Sequence, residues 1–374
     1  MKLLNRFIFA GVLLAAALPA LAGSKADKVI KTIYKVNSHW QKNHTDPGTA
    51  FWHNAAYHTG NMEAWKLTGN KAYYDYSEKW AEHNKWMGAR GNDPSKWKYS
   101  YGETDDYVLF GDWQVCFQTY ADLYTAKPDE AKIARARQVM EYEMSTKNND
   151  YWWWADGLYM VMPVMTKLYK ITGNTLYLDK LYEYWTYADN LMYDADSRLY
   201  YRDAKYIYPK HKTNSGKKDF WARGNGWVLA ALAKVLQDLP EDNAHRQAYI
   251  NRYKAMAEAV AKCQQDGGYW TRSMLDADFA PGCETSGTAF FTYALLWGIN
   301  NGMLDAKTYA PVALKGWKYL SEVALQADGS VGYVQPIGER AIPGQVVSAE
   351  STADFGVGAF LLAACEMARY CESH

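Results

Sequence analysis

Apolar residues recur at three- and four-residue spacing along almost the whole chain, and stretches that alternate apolar with polar are scarce. That period predicts helix nearly throughout. Start and stop signals divide the chain into about twelve segments, at 26–43, 50–68, 71–87, 106–125, 129–145, 156–172, 175–192, 226–239, 246–265, 286–301, 306–325 and 354–370. Two hinges match, Leu67-Thr68-Gly69-Asn70 and Ile171-Thr172-Gly173-Asn174, and each is followed in register by a Tyr and an Asp (Tyr73/Asp75, Tyr177/Asp179). This is a weak internal repeat of helical hairpins.

The connections carry the organisation. Those after even-numbered segments are short, whereas those after odd-numbered ones are mostly long, near 88–105, 146–155, 193–225, 266–285 and 326–353. Long loops in a compact domain are usually functional. In helical hairpins closed into a ring, connections of one parity emerge at one end, so the long loops would build a single mouth. The expected fold is therefore all-α, an (α/α)6 barrel formed as one domain over 23–374, with even helices inside and odd helices outside. An open α-solenoid, which spreads its loops along a surface, is the alternative. In the barrel the inner helices point their N-termini into the mouth, and their dipoles favour an anion there.

Composition narrows the function. The chain has 41 basic and 41 acidic residues, which gives no electrostatic grip on a nucleic-acid backbone. Its 16 Trp, 31 Tyr and 11 Phe supply rings with an apolar face and a polar edge, suited to sugars. The N-terminus has a basic start (Lys2, Arg6), an apolar run from Phe7 to Leu18 and a small-residue site ending at Ala22. It reads as a signal peptide over 1–22, and predicts an exported, periplasmic or secreted protein without a membrane anchor. Five cysteines, Cys116, Cys263, Cys283, Cys365 and Cys371, form no CxxC pair and suit burial as small apolar residues. Pairing of Cys263 with Cys283, or of Cys365 with Cys371, stays open.

The starts of the even segments gather the candidate chemistry. They are Phe51-Trp52-His53-Asn54, Glu103-Thr104-Asp105-Asp106-Tyr107, the run from Tyr151 through Trp152, Trp153 and Trp154 to Asp156, Trp221-Ala222-Arg223 through Trp227, Cys283-Glu284-Thr285, and Glu350 to Asp354. An Asp at a helix start is first of all an N-cap. Glu284 and Asp354 read as caps or loop organisers. Arg223, flanked by Trp and Gly, reads as packed at a constricted site. The loop from Arg202 to Asp219, with Lys205, Lys210, His211, Lys212, Lys217 and Lys218, is a solvated rim that biases the mouth toward an acidic partner.

The strings WWWADGLYM, WARGNGW and ETSGTAFFTYALLWGINNG resemble those of glycoside hydrolase family 105, the unsaturated rhamnogalacturonyl hydrolases and their unsaturated glucuronyl hydrolase-like relatives. The resemblance covers most of the mature chain. It implies the same barrel, no metal and no cofactor. It also implies a substrate made by polysaccharide lyases, an acidic oligosaccharide ending in a 4,5-unsaturated uronic acid. By resemblance a carboxylic acid protonates C4 of the vinyl ether, water adds at C5, and the resulting hemiketal opens to expel the neighbouring sugar. Asp156 is then the acid, and Asp106, or else Asp105, the second carboxylate. Arg223 would clamp the substrate carboxylate, with Trp227, Trp52, Trp154 and His53 around the sugar. Some relatives carry a His in the loop after the seventh helix, where this chain has Leu199-Tyr200-Tyr201-Arg202-Asp203, which makes Arg202 a candidate replacement. A helix start lowers a carboxyl pKa while a general acid needs it raised. Burial among the Trp run and a like charge at Asp106 are expected to raise that of Asp156.

Two other readings share the barrel. A polysaccharide lyase or sugar epimerase would use a Tyr, His or Lys base in the mouth, for which His53 is available. A periplasmic glycan-binding protein would use the aromatic residues without proton transfer.

Overall fold

The computed structural model describes residues 24–373, and the expected signal peptide lies outside them. Twelve α-helices run in order among the described residues: α1 (Lys25–Asn43), α2 (Trp52–Thr68), α3 (Lys71–His83), α4 (Cys116–Ala126), α5 (Ala134–Ser145), α6 (Ala155–Thr172), α7 (Leu176–Met192), α8 (Ala222–Asp238), α9 (Arg246–Lys262), α10 (Thr285–Asn300), α11 (Ala306–Tyr319) and α12 (Asp354–Ser373). The even helices pack in the closed order α2, α4, α6, α8, α10, α12 and back to α2, and odd helices lie against them from outside. The fold is the (α/α)6 barrel that the loop parity predicts. A small hairpin, β1 (Tyr193–Asp194) and β2 (Leu199–Tyr200), pairs antiparallel with Tyr193 opposite Tyr200 in the loop after α7.

Sequence decides which helix goes where. In α1 the buried positions Val29, Ile33, Val36 and Trp40 form one stripe and the rest is polar, as an outer helix requires. In α10 every residue from Thr285 to Ile299 is buried, which only an inner position satisfies. The repeated hinges are helix stops: Gly69 and Gly173 take left-handed φ of 65° and 71° and return their N–H to Trp65 O and Tyr169 O. Inner helices also need backbone contact. A Cβ on Gly60 of α2 would overlap the carbonyl oxygen of Gly358 in α12. All five cysteines are free thiols.

One segment departs from its expected form, with consequences for the site. Helix is expected from 106, but α4 begins at Cys116. Residues 105–109 instead pair with the preceding loop: Gly91 N–H donates to Asp105 O, Lys98 N–H to Asp106 O, and Leu109 N–H to Lys98 O. A single 3-10 turn, Gly111–Trp113, then leads toward the helix. The apolar run Tyr107 to Phe110 has a helical look because it must pack on two sides of this loop.

Gly60→Ala should lower stability by about 3 kcal/mol, the upper end for overpacking a rigid contact. Gly69→Ala, left-handed but with open space around it, should cost only about 1 kcal/mol. Thermal unfolding of the two variants beside the parent checks the ordering, and equal losses would refute close α2–α12 packing.

Candidate active site

The long loops converge as expected on one end of the barrel. There they enclose a cavity of about 540 Å³ lined by Phe51, Trp52, His53, Tyr101, Glu103, Asp112, Trp153, Trp154, Asp156, Met160, Arg202, Lys205 and the segment Ile337 to Glu339. Of the residues singled out from sequence, Asp156, Trp52, His53, Trp154 and Arg202 meet here.

Asp156 stands in the first turn of α6. Trp154, just before the helix, packs with Phe51 and Phe110 in a small apolar cluster. A Cβ on Gly157 would come within 3.1 Å of its ring, so glycine there leaves room for the indole. The loop after α7 is tied to this helix start by Ala155 N–H donating to Arg202 O at 2.8 Å. Arg202 therefore reaches Asp156: its Nε donates to Asp156 Oδ2 at 3.2 Å. Its Nη1 donates to Asp203 Oδ2 at 2.7 Å and Glu339 Oε2 at 3.2 Å. Burial raises the Asp156 pKa, and the charges of Arg202 and then Arg223 pull it back, leaving it above its ordinary value.

The second carboxyl is not where the sequence suggested. Asp106 is about half exposed beside Lys98, and Asp105 Oδ1 accepts from Arg90 N–H at 3.0 Å on the loop; neither lines the cavity. Asp112, in the 3-10 turn before α4, is buried and does line it. Its pKa stands well above the usual carboxylate range, through burial first, then the charge of Asp156, against the pull of Arg202. The expected like charge is thus Asp112. Two carboxyls in one low-dielectric cavity titrate as a pair, and because Arg202 bonds to Asp156, Asp112 keeps its proton to the higher pH.

Two further assignments need correction. Trp227 has no exposed surface. It packs against Phe290 and Tyr159 (ring centroids 4.3 and 4.7 Å away) and meets Trp52 edge-on, so it reaches the cavity only through its contact with Trp52. Arg223 is likewise fully buried. Its Nη1 donates to Gln335 O at 2.6 Å and its Nη2 to Pro336 O at 2.9 Å. The guanidinium lies between the rings of Trp221 and Phe355. The expected clamp on substrate instead holds the loop that carries Glu339.

That loop brings what the sequence did not signal. Glu339 accepts from Arg202 Nη1, from Lys205 Nζ at 3.0 Å and from Tyr206 O–H at 2.6 Å. Two cations and a phenol around one carboxylate make a receptor for a carboxylate. Across the cavity, His53 Nδ1 lies 2.6 Å from Asp354 Oδ2. Burial lowers the imidazole pKa, but Asp354, then Glu103, more than offset it, so His53 titrates above its ordinary 6.5. Glu284 caps α10, accepting from Ser286 and Gly287 N–H at 2.8 Å each, and also receives Gln335 N–H. It organises the loop, as read from sequence.

The Glycosyl Hydrolase Family 88 profile matches residues 25–371. The chain belongs to that family. A curated relative, the unsaturated 3S-rhamnoglycuronyl hydrolase of Formosa agariphila, is 32% identical over 379 residues, covering 98% of this chain and 97% of its own. Among solved structures, one named as a polysaccharide lyase is 68% identical, with a TM-score of 0.92, covering 94% of this chain and 99% of that one. A glycosyl hydrolase family 88 structure from Bacteroides vulgatus is 59% identical, with a TM-score of 0.91, over 92% and 99%.

For this family 88 enzyme the buried carboxyl pair sets a pH signature. Because the folded pKa of Asp112 is raised above its ordinary 3.8, the folded state binds more protons there than the unfolded one. Stability therefore falls as pH rises through that window. Asp112→Asn removes this slope, so the variant should gain melting temperature relative to the parent as pH rises above the ordinary carboxylate range, in paired unfolding scans. A difference independent of pH would refute the assignment. Glu339→Gln should tighten binding of free glucuronate several-fold by calorimetry, since the anion no longer competes with a resident carboxylate; unchanged or weaker binding would sink the receptor reading.

Proposed function

We propose that this enzyme removes a 4,5-unsaturated uronic acid from the non-reducing end of lyase-generated acidic oligosaccharides, those with rhamnose next to the uronate first among them. The assignment to family 105 within this group is part of that proposal and rests on the WWWADGLYM and WARGNGW strings. The carrying observation is the pair Asp112 and Asp156 in one cavity with Arg202, Lys205 and Glu339, where Glu339 accepts from both cations and from Tyr206. The substrate carboxylate takes the receptor. Asp112, the member that keeps its proton, delivers it to C4, charge develops at C5, and Asp156, expected from sequence as the acid, instead takes as carboxylate a proton from the water that adds there. The hemiketal so formed opens and releases the next sugar. Trp52 and Trp153 line the cavity and offer ring surface to the sugar. Export to the periplasm, expected from the leader, places the enzyme where polysaccharide fragments arrive.

A second reading has a specific observation in its favour: the 68% identical structure is named as a polysaccharide lyase. Elimination also begins by neutralising a uronate carboxylate. It then needs a base for the C5 proton and an acid for the departing oxygen at C4. His53, oriented by Asp354, is placed as that base, and the carboxyl pair as the acid. The two reactions run in opposite senses, because hydration consumes a C4=C5 bond and elimination makes one.

Ultraviolet absorbance of that bond separates them. With unsaturated disaccharides, hydration predicts loss of absorbance, abolished by Asp156→Asn and reduced about 10³-fold by Asp112→Asn, within the usual range for proton-transfer groups; Asp106→Asn should stay within about 3-fold of the parent, as befits an exposed residue. With saturated, uronate-bearing polysaccharides, elimination predicts a rise that His53→Ala removes. A rise without any loss replaces the first reading by the second, and no change on either panel overturns both.

A further inference from the structure

Asp112 reaches the cavity because the residues before Cys116 do not continue α4, and a buried side chain accounts for it. In a helix the carbonyl of Val108 would accept from the N–H of Asp112. Here it accepts instead from the side-chain amide of Gln114, at 3.2 Å. Gln114 also closes the 3-10 turn that carries Asp112, its backbone N–H donating to Gly111 O at 2.8 Å, and its own carbonyl accepts from Phe117 N–H in the first turn of α4. One residue thus ties both ends of the segment. The turn itself packs against α6, since a Cβ on Gly111 would come within 3.0 Å of Val161 and 3.2 Å of the Trp154 ring.

Gln114 is held in turn by a residue that does not line the cavity. Glu143, near the end of the outer helix α5, is 1% exposed, and its Oε1 accepts from Gln114 Nε2 at 2.6 Å. Both N–H groups of the amide are then used, one on Val108 and one on Glu143. Burial pushes the Glu143 pKa up to about 8, against the pull of Gln114, so the carboxyl keeps its proton at neutral pH. The two oxygens left over, Glu143 Oε2 and Gln114 Oε1, are buried without a protein partner, and the carboxyl proton is a donor that an ionised Glu143 would lack. Two turns earlier in α5, Arg135 Nη2 donates to Ala89 O at 2.9 Å and Gly91 O at 2.7 Å, and Gly91 N–H donates to Asp105 O. Helix α5 therefore grips the Asp112 loop at its entry through Arg135 and at its exit through Glu143.

We propose that Glu143 is a positioning residue for the reaction: through Gln114 it fixes the 3-10 turn and so sets where the Asp112 carboxyl stands in the cavity, without touching substrate. The inference rests on the reading of Asp112 as the group that delivers a proton to C4. A general packing role would disturb substrate binding as well. The bonds from Glu143 lead to Gln114 and Val108, whereas Arg202 and Lys205 are held by Glu339, so kcat and KM should separate.

Glu143→Met removes the acceptor and should lower kcat on an unsaturated disaccharide about 10²-fold, the cost of misplacing a reacting group by about 1 Å, with KM within about 3-fold of the parent. Glu143→Gln, which offers Gln114 both an acceptor and a donor, should stay within about 3-fold in both constants. In an Asp112→Asn background Glu143→Met should cost nothing further, because a residue that acts only through another is not additive with it. That pattern supports the proposal. Full activity of Glu143→Met, an equal loss in both backgrounds, or a loss in Glu143→Gln as large as in Glu143→Met overturns it. If Glu143→Met does not fold, Gln114→Met carries the same cycle, and failure of both to fold overturns the proposal, since the role is then structural. Crystal structures keep this test apart from that of the reaction: residues 108–113 should move in the folded variant while Asp156 and Arg202 stay in place. Such movement, beside a parent that consumes no C4=C5 bond, sinks the hydration reading and leaves the placement of Asp112 by Glu143 standing. An unmoved turn sinks the placement whatever the parent does.

Discussion

The wall of the cavity depends on a guanidinium that never meets water. Arg223 is fully buried, and burial lowers its pKa to about 10, so the fold bears a desolvation cost to keep it there. What offsets that cost is geometric. The carbonyls of Gln335 and Pro336 accept from its two terminal nitrogens. The rings of Trp221 and Phe355 cover its faces, and Glu284 and Asp156 supply opposite charge. Gln335 is held a second time, its amide oxygen accepting from Trp221 Nε1 and its backbone N–H donating to Glu284. Three inner helix starts, α8, α10 and α12, thereby fix one loop, and that loop carries Ile337, Gly338 and Glu339 to the cavity. Truncating Arg223 would leave the carbonyls of Gln335 and Pro336 without these donors, so the damage would spread through the loop to the site.

The same architecture settles the conflict over Asp156. Its place in the first turn of α6 favours the ionised form, as do Arg202 and Arg223, yet burial outweighs them and the pKa ends above its ordinary value. Desolvation prevails because Trp154 and Phe110 form an apolar patch against the helix start, removing water that would otherwise screen the charge. Asp112 lacks a bonded cation and rises further. Two carboxyls with unequal access to Arg202 thus differ in how readily they keep a proton, the kind of difference on which the proposed acid and base roles rest.

How much of this was legible in the sequence follows from what sets each feature. Helix identity and ring order were legible because period and loop length are local properties, and α10, apolar on all sides, declared its inner position. Asp156 was legible only through the resemblance carried by the WWWADGLYM string, since an Asp at a helix start is by itself equally an N-cap. Asp112 was hidden because the apolar run from Tyr107 continues the period of α4, so a residue in a loop turn looked like one inside a helix. Its only local mark is the Gly111-Asp112 pair among aromatics, where a Cβ on Gly111 would come within 3.2 Å of the Trp154 ring. Arg223 was legible as packed at a constricted site, but it and Trp227 were expected at the substrate, because whether a buried group faces a cavity or a loop depends on residues more than a hundred positions away. Glu339 carried no signal, since only the folded chain brings it to Arg202.

Hydration and elimination on uronates make overlapping demands, and the roles proposed for this cavity's residues address both sets. Each begins with a carboxylate whose charge must be neutralised as density shifts at C5, which the Arg202, Lys205 and Tyr206 receptor provides. Each needs an acid near C4, which the carboxyl pair provides. They part at C5: hydration adds water there, whereas elimination takes a proton away. The free imidazole edge of His53, whose Nδ1 is held by Asp354, is the feature that only elimination requires, and its raised pKa makes it a stronger base once deprotonated while reducing the neutral fraction at a given pH. The two chemistries on one scaffold are therefore separated by which side of the sugar ring is offered a base, not by the fold. For this chain the choice rests on where C5 lies between His53 and Asp156 when the carboxylate has replaced Glu339.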